Sequence, residues 1–262
     1  MKRMHFIAVL AFFLALPSYS SALPLINAEV AAGGWMQMPS GDMGVSRGGV
    51  NGTRLDVDRD LGYDSEWRLT GRFRINLPLV LPNVYVMGTA MDFSGTGTFQ
   101  NAFDFAGQRF IANTPYDSSL TADQLDVTLF YGVPFLGIFT LGTTAIDFGI
   151  NVRLYQLDAS MTQGVNSFSE STNVAIPMAY LAARFEPIDS LGLEAEFRGL
   201  AIGDSQVLSG IGRIRYNFMN LPFIVTSFIA GGWRHEIIDL DESGIHVDAT
   251  FSGPFVEAGL RF

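Results

Sequence analysis

The sequence has no cysteine and little charge, and both absences narrow the class of protein. With no Cys among 262 residues, a disulfide framework and a thiolate metal site are excluded. Charged residues make up 16% of the chain, against about 25% in a typical soluble domain. Lysine occurs once, at Lys2. The formal net charge of −10 argues against a nucleic-acid partner bound through its phosphates.

The beginning of the chain is typical of a secretory signal peptide. Lys2 and Arg3 precede an apolar run over 6–16, and a small-residue cleavage site ends at Ala22. The run is too short for a spanning helix, which needs about 20 apolar residues. We therefore predict a signal peptide over 1–22 and one domain over 23–262.

The rest of the chain has no long apolar run, yet it is rich in apolar residues. Apolar residues make up 48% of the sequence and aromatic residues 13%. Segment 66–77 shows how a chain can be rich in apolar residues without a long apolar run. Trp67 and Phe73 occupy odd positions, while Arg68 and Arg72 occupy the even positions between them. A period of two predicts a β-strand with one apolar and one polar face.

The same pattern marks ten segments, and the connections between them alternate in length. Long polar connections are predicted at 38–64, 96–122, 158–172 and 238–246, and short ones, mostly containing proline, at 78–82, 134–140, 187–190 and 219–222. The brief connection 203–206 is the exception. This alternation predicts an all-β fold, an up-and-down antiparallel transmembrane β-barrel with short periplasmic turns and long extracellular loops. We count about ten strands, and eight or twelve would need a merged or split segment. The ten segments are 25–37, 66–77, 83–95, 124–133, 145–155, 174–186, 191–200, 208–218, 223–237 and the segment that ends at Phe262.

Periodicity by itself does not say which face of a barrel is polar. A soluble lipocalin-like barrel would place the arginines outside. The chain ends in Gly-Leu-Arg-Phe, and alternate apolar residues before Phe262 resemble the signal that the outer-membrane assembly machinery reads. We therefore expect a Gram-negative outer-membrane location, with that machinery and outer-membrane lipids, including lipopolysaccharide, as partners.

In a membrane barrel, the polar faces must line the lumen, because an arginine near the bilayer midplane costs about 2–4 kcal/mol. Arginine suits a buried network because its planar fork pairs with carboxylates bidentately and stays charged. A ten-stranded barrel is narrow, since wide aqueous pores belong to barrels of about 16 strands. Two interpretations stay open: a satisfied polar core, or a constricted channel for small solutes. The predicted lumen network contains Glu66, Arg68, Arg72, Arg74, Asp126, Asp147, Arg153, Glu194, Glu196, Arg198, Arg213, Arg215, Arg234, Glu236, Glu257 and Arg261.

The predicted outer loops carry most of the acids. Asp56, Asp58 and Asp60 have the spacing of the first ligands of a calcium loop, but Leu61 stands where that loop needs Gly and Trp67 where it needs Glu. We expect a solvated acidic surface, bridged to lipid phosphates by divalent cations, and no cofactor or specific metal site.

Catalysis has little support in the sequence. After the signal peptide, His235 and His246 are the histidines, and His235 shares its parity with Trp233, which predicts a position facing lipid.

Trp35, Trp67 and Trp233 fall near outer strand ends, as an aromatic belt requires, although Trp35 has the parity of inward residues unless a bulge intervenes. A lipid-modifying enzyme and a loop-mediated surface binder are the alternative functions.

Ala-Gly-Gly-Trp occurs at 32–35 and again at 230–233. We expect these glycine pairs to accept Phe251 or Phe255 from a neighbouring strand, as aromatic residues do in curved sheets.

Eight segments together resemble a family of proteobacterial outer-membrane barrels named for a Gly-Gly motif. The resemblance spans nearly all of 23–262 and implies a barrel in the outer membrane, but no substrate or catalytic residues, since the family is functionally uncharacterised. The segments are AEVAAGGWMQMPSG (28–41), LDVDRDLG (55–62), LPNVYV (81–86), FAGQRF (105–110), QLDVTLFYG (124–132), DFGINVR (147–153), IPMAY (176–180) and FSGPFVEAGLRF (251–262).

Overall fold

The structure, a computed structural model, describes residues 27–47, 49, 51–78, 80–203, 205–221, 225–242 and 245–262. The predicted signal peptide lies outside these residues. The described residues form strands and one short helix, and the labels used below follow chain order. They are β1 (Asn27–Val45), β2 (Leu55–Asp56), β3 (Glu66–Asn76), β4 (Asn83–Thr89), β5 (Asp92–Thr98), β6 (Phe103–Phe105), β7 (Gln108–Phe110), β8 (Pro115–Gly132), α1 (Leu136–Phe139), β9 (Thr144–Gln163), β10 (Asn166–Ile188), β11 (Leu191–Ile202), β12 (Ser205–Leu221), β13 (Val225–Glu242) and β14 (Ile245–Arg261).

Ten antiparallel barrel strands close the sheet in the described part of the chain. β4 and β5 act as one barrel strand, because both pair with β8 and only Ala90 and Met91 separate them. The last strand returns to the first, with Glu29 opposite Arg261 on β1 and β14. Each strand otherwise pairs with its neighbours in sequence. The predicted ten-strand up-and-down barrel is confirmed.

The outer wall of the barrel is apolar over the height of a bilayer core. On β10, the outward residues are apolar from Phe185 to Ala175 and polar from Asn173 onward. Ten residues at about 3.3 Å each, on a strand tilted by about 40°, span roughly 25 Å, the height of the apolar band of membrane barrels. Trp67 and Trp233 lie near the outer edge of this belt and are 53% and 50% exposed. The fold is therefore a transmembrane β-barrel. In the described residues, no helix has the length and hydropathy to cross a membrane.

Two of the four predicted long loops are wrong, because the strands continue through them. β9 and β10 pair up to Gln163 opposite Asn166, and β13 and β14 pair up to Glu242 opposite Ile245. Beyond the membrane both faces of such a strand meet water, so the apolar alternation that identifies a strand disappears while the ladder persists. The predicted loops 158–172 and 238–246 are therefore hairpin extensions.

The two remaining long connections fold over the outer mouth. We call the described residues of 46–65 and 99–114 the outer cap. Leu61 is buried in it, and Tyr63 stacks on Phe93 with ring centroids 5.9 Å apart. Phe103 and Phe110 stack at 4.9 Å. Burial raises the pKa of the Tyr63 hydroxyl to about 12. The outer cap is thus a packed apolar plug rather than a solvated loop region.

One glycine of each repeated pair lies against the backbone of a neighbouring strand. A Cβ on Gly33 would lie 1.9 Å from the Val256 carbonyl oxygen, so only glycine fits there. On the other side of β14, Phe255 lies directly opposite Gly232, whereas Phe251 lies opposite Glu236. Phe255 is therefore the aromatic residue that covers a glycine of the second pair.

Candidate functional site in the barrel lumen

The structure places all sixteen residues of the predicted lumen network on the inner face. Thirteen are buried, while Glu66, Arg68 and Arg261 are partly exposed near the two ends of the lumen. Strand alternation positions them, because successive residues point to opposite faces. Glu29, Gln124 and Asn151 are also buried in the lumen, although sequence reasoning left them out of the network. All three occupy strand positions of the same parity as inward residues, and this parity was the signal that could have identified them.

The network has a lower layer toward the periplasmic turns, centred on Arg72 and Arg213. Arg72 pairs with Glu29, and its Nη2 lies 2.9 Å from Glu257 Oε1. Arg213 Nη1 lies 2.7 Å from both Glu194 Oε2 and Glu196 Oε1. Glu194 and Glu196 both lie on β11, and Arg213 Nε also lies 3.0 Å from Glu257 Oε1 on β14. Each guanidinium thus bridges carboxylates from two strands. These ion pairs connect β1, β3, β11, β12 and β14 across the lumen.

More arginines close the periplasmic end of this layer. Arg215 pairs with Glu194, and Arg261 Nε lies 3.1 Å from Glu29 Oε2. Arg74 Nη2 lies 2.9 Å from Asp147 Oδ2. Each of these arginines is therefore paired with a carboxylate near the periplasmic end of the barrel.

The upper layer is centred on Arg153. Its Nε and Nη2 each lie 2.9 Å from an oxygen of Asp126, and its Nη1 lies 3.1 Å from Glu236 Oε1. Arg234 also pairs with Glu236, and its guanidinium lies 4.3 Å from the ring centroid of Trp35. These charges are paired with one another and buried, since Arg153, Asp126 and Glu236 are at most 1% exposed.

Trp35 is a lumen residue and not part of the aromatic belt. It is fully buried, and its Nε1 donates to the Gly253 carbonyl oxygen at 3.2 Å. The parity of β1 holds through this position, so the belt interpretation is wrong for Trp35.

The network leaves little space between its side chains. A cavity of about 10 Å³ lies beside Arg74, Tyr85 and Glu196, and another of about 10 Å³ lies beside Trp35 and Arg234. Each has room for about one water molecule. With the outer cap above, the side chains of the described residues fill both layers of the network.

The acidic turn of the outer cap is a capped turn rather than a calcium loop. The Asp56 carboxylate accepts the backbone N–H groups of Asp58 and Arg59 at 3.1 and 2.8 Å. It also accepts Arg59 Nη2 at 2.7 Å, and this bond holds the Asp56 pKa below its ordinary value of 3.8. Asp56 thereby caps the turn as an N-cap residue caps a helix.

Asp56→Ala is expected to loosen this turn by about 1 kcal/mol, because two backbone donors lose their acceptor. The measurement is the rate of limited proteolysis within 46–65, which should rise about fivefold, with Asp58→Ala as the matched control. Since the folded-state pKa is depressed, this stabilisation is present above pH 3.8 and is lost as the pH falls below that value. Equal cleavage of the two variants would contradict the capping role.

Other acids cross the outer face above the belt. Asp248 on β14 lies opposite Asp42 on β1 and opposite Asp239 on β13. Among the described residues, no group of three or more His, Cys, Asp or Glu side chains is arranged to hold a metal ion. Asp42, Asp239 and Asp248 form a diffuse acidic surface, and a divalent-cation partner stays a prediction.

The two histidines lie apart from the lumen network. His235 is exposed on the outward face of β13, and His246 Nε2 lies 3.5 Å from Asp42 Oδ2 near the outer end of β14. These positions give no support to a hydrolase.

The chain was compared with known proteins. No family model matches it, and no curated protein matches it. Among solved structures, Ail, the attachment invasion locus protein of Yersinia pestis, is 9% identical, with 90% of this chain and 99% of Ail covered and a TM-score of 0.33. The translocator domain of the autotransporter NalP from Neisseria meningitidis is also 9% identical, with 100% and 95% covered and a TM-score of 0.42. The transport unit of AIDA-I from Escherichia coli is 9% identical, with 98% and 95% covered and a TM-score of 0.39. The closed ladder of this chain is what defines its fold.

Proposed function

We propose that this chain is an integral outer-membrane protein of a Gram-negative bacterium, a closed barrel that serves as a structural component of the envelope. The observation that carries the proposal is the filled lumen. Arg153 and Arg213 bridge carboxylates from several strands, and the cavities beside the network hold about one water each. This interior fits the interpretation of a satisfied polar core better than that of a passive channel.

The apolar outer wall and the C-terminal strand support the membrane location. Phe262 exchanges backbone hydrogen bonds with Ala28 at 2.8 and 3.2 Å, so the proposed assembly signal lies at the seam where the barrel closes. The partners in this proposal are the assembly machinery and outer-membrane lipids, including lipopolysaccharide held through divalent cations at the acidic surface. Membership of the Gly-Gly-motif family is part of the same proposal.

Planar-bilayer recording tests the closed-barrel proposal. We expect the purified, folded protein to show no unitary openings at any applied voltage, because ions have no continuous water path through the network. Folding of the same preparation is checked by heat-modifiable gel mobility. Reproducible openings that change size when Glu257 is replaced by Gln would establish a narrow channel instead.

A loop-mediated surface binder is the second candidate, and one feature favours it. The hairpin of β9 and β10 extends beyond the apolar belt, from Asn173 to its tip, and exposes polar side chains there. Deletion of 164–165 with retained cell-surface adhesion would argue against this role for the hairpin tip.

A further inference from the structure

The wall of the barrel is incomplete between two neighbouring strands. β10 and β11 pair upward only as far as Ala179 opposite Gly199. Both strands continue above this rung, but within the described residues neither pairs with the other there. We call the gap between 166–178 of β10 and 200–202 of β11 the lateral notch.

The sequence explains why the ladder stops. Pro177 lies two residues above the last rung and has no N–H, so it cannot donate to a continued ladder. The neighbouring strand is also short on this side, because β11 ends at Ile202, opposite Ser205 of β12. On β10, side chains of both parities are exposed from Ser169 to Ala175, as expected for a strand with a free edge.

The lower part of the notch lies within the apolar belt. Pro177 and Ala175 are level with Val152 and Leu154 on β9, which are exposed apolar residues. The last rung is four residues below Ala175, roughly 10 Å deeper at about 3.3 Å per residue and a 40° tilt. Acyl chains of the outer leaflet therefore meet a break in the hydrogen-bonded ladder at this height, filled by side chains rather than by a continuous backbone.

Apolar side chains flank the notch on the lipid side and behind it. Outside, Leu181 and Phe197 are 51% and 45% exposed. Inside, Met178 is buried, and Leu200 lies opposite the buried Val207. A hydrocarbon chain is thus the occupant that these surfaces match.

An arginine with unused donors lies at the floor of the notch. Tyr180 and Arg198 form the rung directly below Ala179 and Gly199, and both side chains are buried in the lumen. Arg198 Nη2 donates to Glu196 Oε2 at 3.0 Å. Its Nε and Nη1, and the Tyr180 hydroxyl, have no hydrogen-bond partner among the described residues.

Unused donors on a buried guanidinium are costly unless an acceptor binds them. The Arg198 guanidinium lies over the rings of Tyr85 and Tyr180, at 5.1 and 5.2 Å, and these contacts leave its in-plane donors free to bind oxygen. A charged donor of this kind binds an oxygen of a carboxylate or a phosphate by a charge-assisted hydrogen bond. The floor of the notch therefore suits an anionic group.

We propose that the lateral notch admits an anionic single-chain amphiphile from the outer leaflet. Its acyl chain lies along the notch, and its carboxylate or phosphate accepts hydrogen bonds from Arg198 and Tyr180. Binding requires Met178 and Leu200 to move aside, which the flexible Met side chain allows. This site goes beyond the structural role and needs no axial pore, since the ligand enters through the wall.

Photolabelling in lipid nanodiscs tests the site. The probes are a fatty acid and a lysophosphatidate that carry a diazirine in the chain, with a neutral monoacylglycerol as the reference. We expect labelling by at least one anionic probe to concentrate in 174–181 and 197–202 and to fall at least tenfold in Arg198→Gln. Arg234→Gln is the matched control, because Arg234 is buried and hydrogen-bonded through all three nitrogens. Of the two anionic probes, the one that labels the notch more strongly shows whether the headgroup is a carboxylate or a phosphate.

A disulfide across the notch gives a second test in a single folded protein. In the continued register, Pro177→Cys and Ala201→Cys face each other, and the chain has no other Cys. Oxidation should abolish labelling and reduction should restore it. A Leu129→Cys and Ile150→Cys pair in the complete β8–β9 ladder should not respond. Labelling that is spread evenly around the belt, equal for the neutral probe, or unchanged by oxidation would overturn the proposal, whereas conductance would remain a separate test of the closed barrel.

Discussion

Arg153→Met is expected to lower the free energy of unfolding by about 3–5 kcal/mol. Arg153 is fully buried and binds both oxygens of Asp126 as well as Glu236. Methionine fills similar space but leaves Asp126, a buried carboxylate, without its main counter-charge. Asp126 is 1% exposed, so solvent compensates little for the lost partner and most of the cost of the uncovered charge appears as lost stability.

Urea unfolding in detergent micelles, followed by heat-modifiable mobility, measures this effect. Arg68→Met is the control, because Arg68 is partly exposed near the outer end of β3 and its loss should cost about 1 kcal/mol or less. The double variant Arg153→Met and Asp126→Asn should regain part of the stability, since it removes the uncovered charge as well. Equal midpoints for Arg153→Met and Arg68→Met would show that the upper layer is hydrated.

Gly33→Ala is expected to cost roughly 3 kcal/mol or more, beyond the usual range for overpacking. The added Cβ would lie 1.9 Å from Val256 O and 2.6 Å from Glu257 Cα. Both are backbone atoms of β14, so no side chain can move aside, and the seam between β1 and β14 must open. We expect a large fraction of the protein to fail to reach the heat-modifiable folded form.

Gly34→Ala is the matched control one residue further along the strand. Its Cβ would point outward and lie 3.1 Å from the Trp67 ring, which is half-exposed and able to shift. The change should therefore alter stability by less than about 0.5 kcal/mol. If both variants folded equally well, the close approach of β1 and β14 would be absent in the protein.

The strand number and the faces of the strands could be predicted because the side-chain period of a strand is two. Once Trp67 and Phe73 are assigned to the lipid side, Arg68 and Arg72 must point inward. This reasoning needs no knowledge of which strands are neighbours. It is the reason that Arg153, Glu194 and Glu257 could be assigned to the lumen individually.

The same reasoning could not predict the pairs, the outer cap or the lateral notch. Whether Arg213 meets Glu194 or Glu257 depends on register and on how the strands tilt around the barrel. The hairpin of β9 and β10 was missed because its outer part has no apolar face. Pro177 was visible in the sequence, but its consequence depends on the height at which β11 turns back.

By itself the sequence predicted a membrane barrel of about ten strands with an arginine-rich interior, because alternation is a local property of the chain and the segment before Phe262 favours the membrane orientation. The tertiary structure decided that the interior is filled, since ion pairs such as Arg72 with Glu257 join residues far apart in sequence. It also decided that the pairing of β10 with β11 ends at Ala179 and Gly199. Both features arise from distances between strands, and these exist only once the barrel has closed.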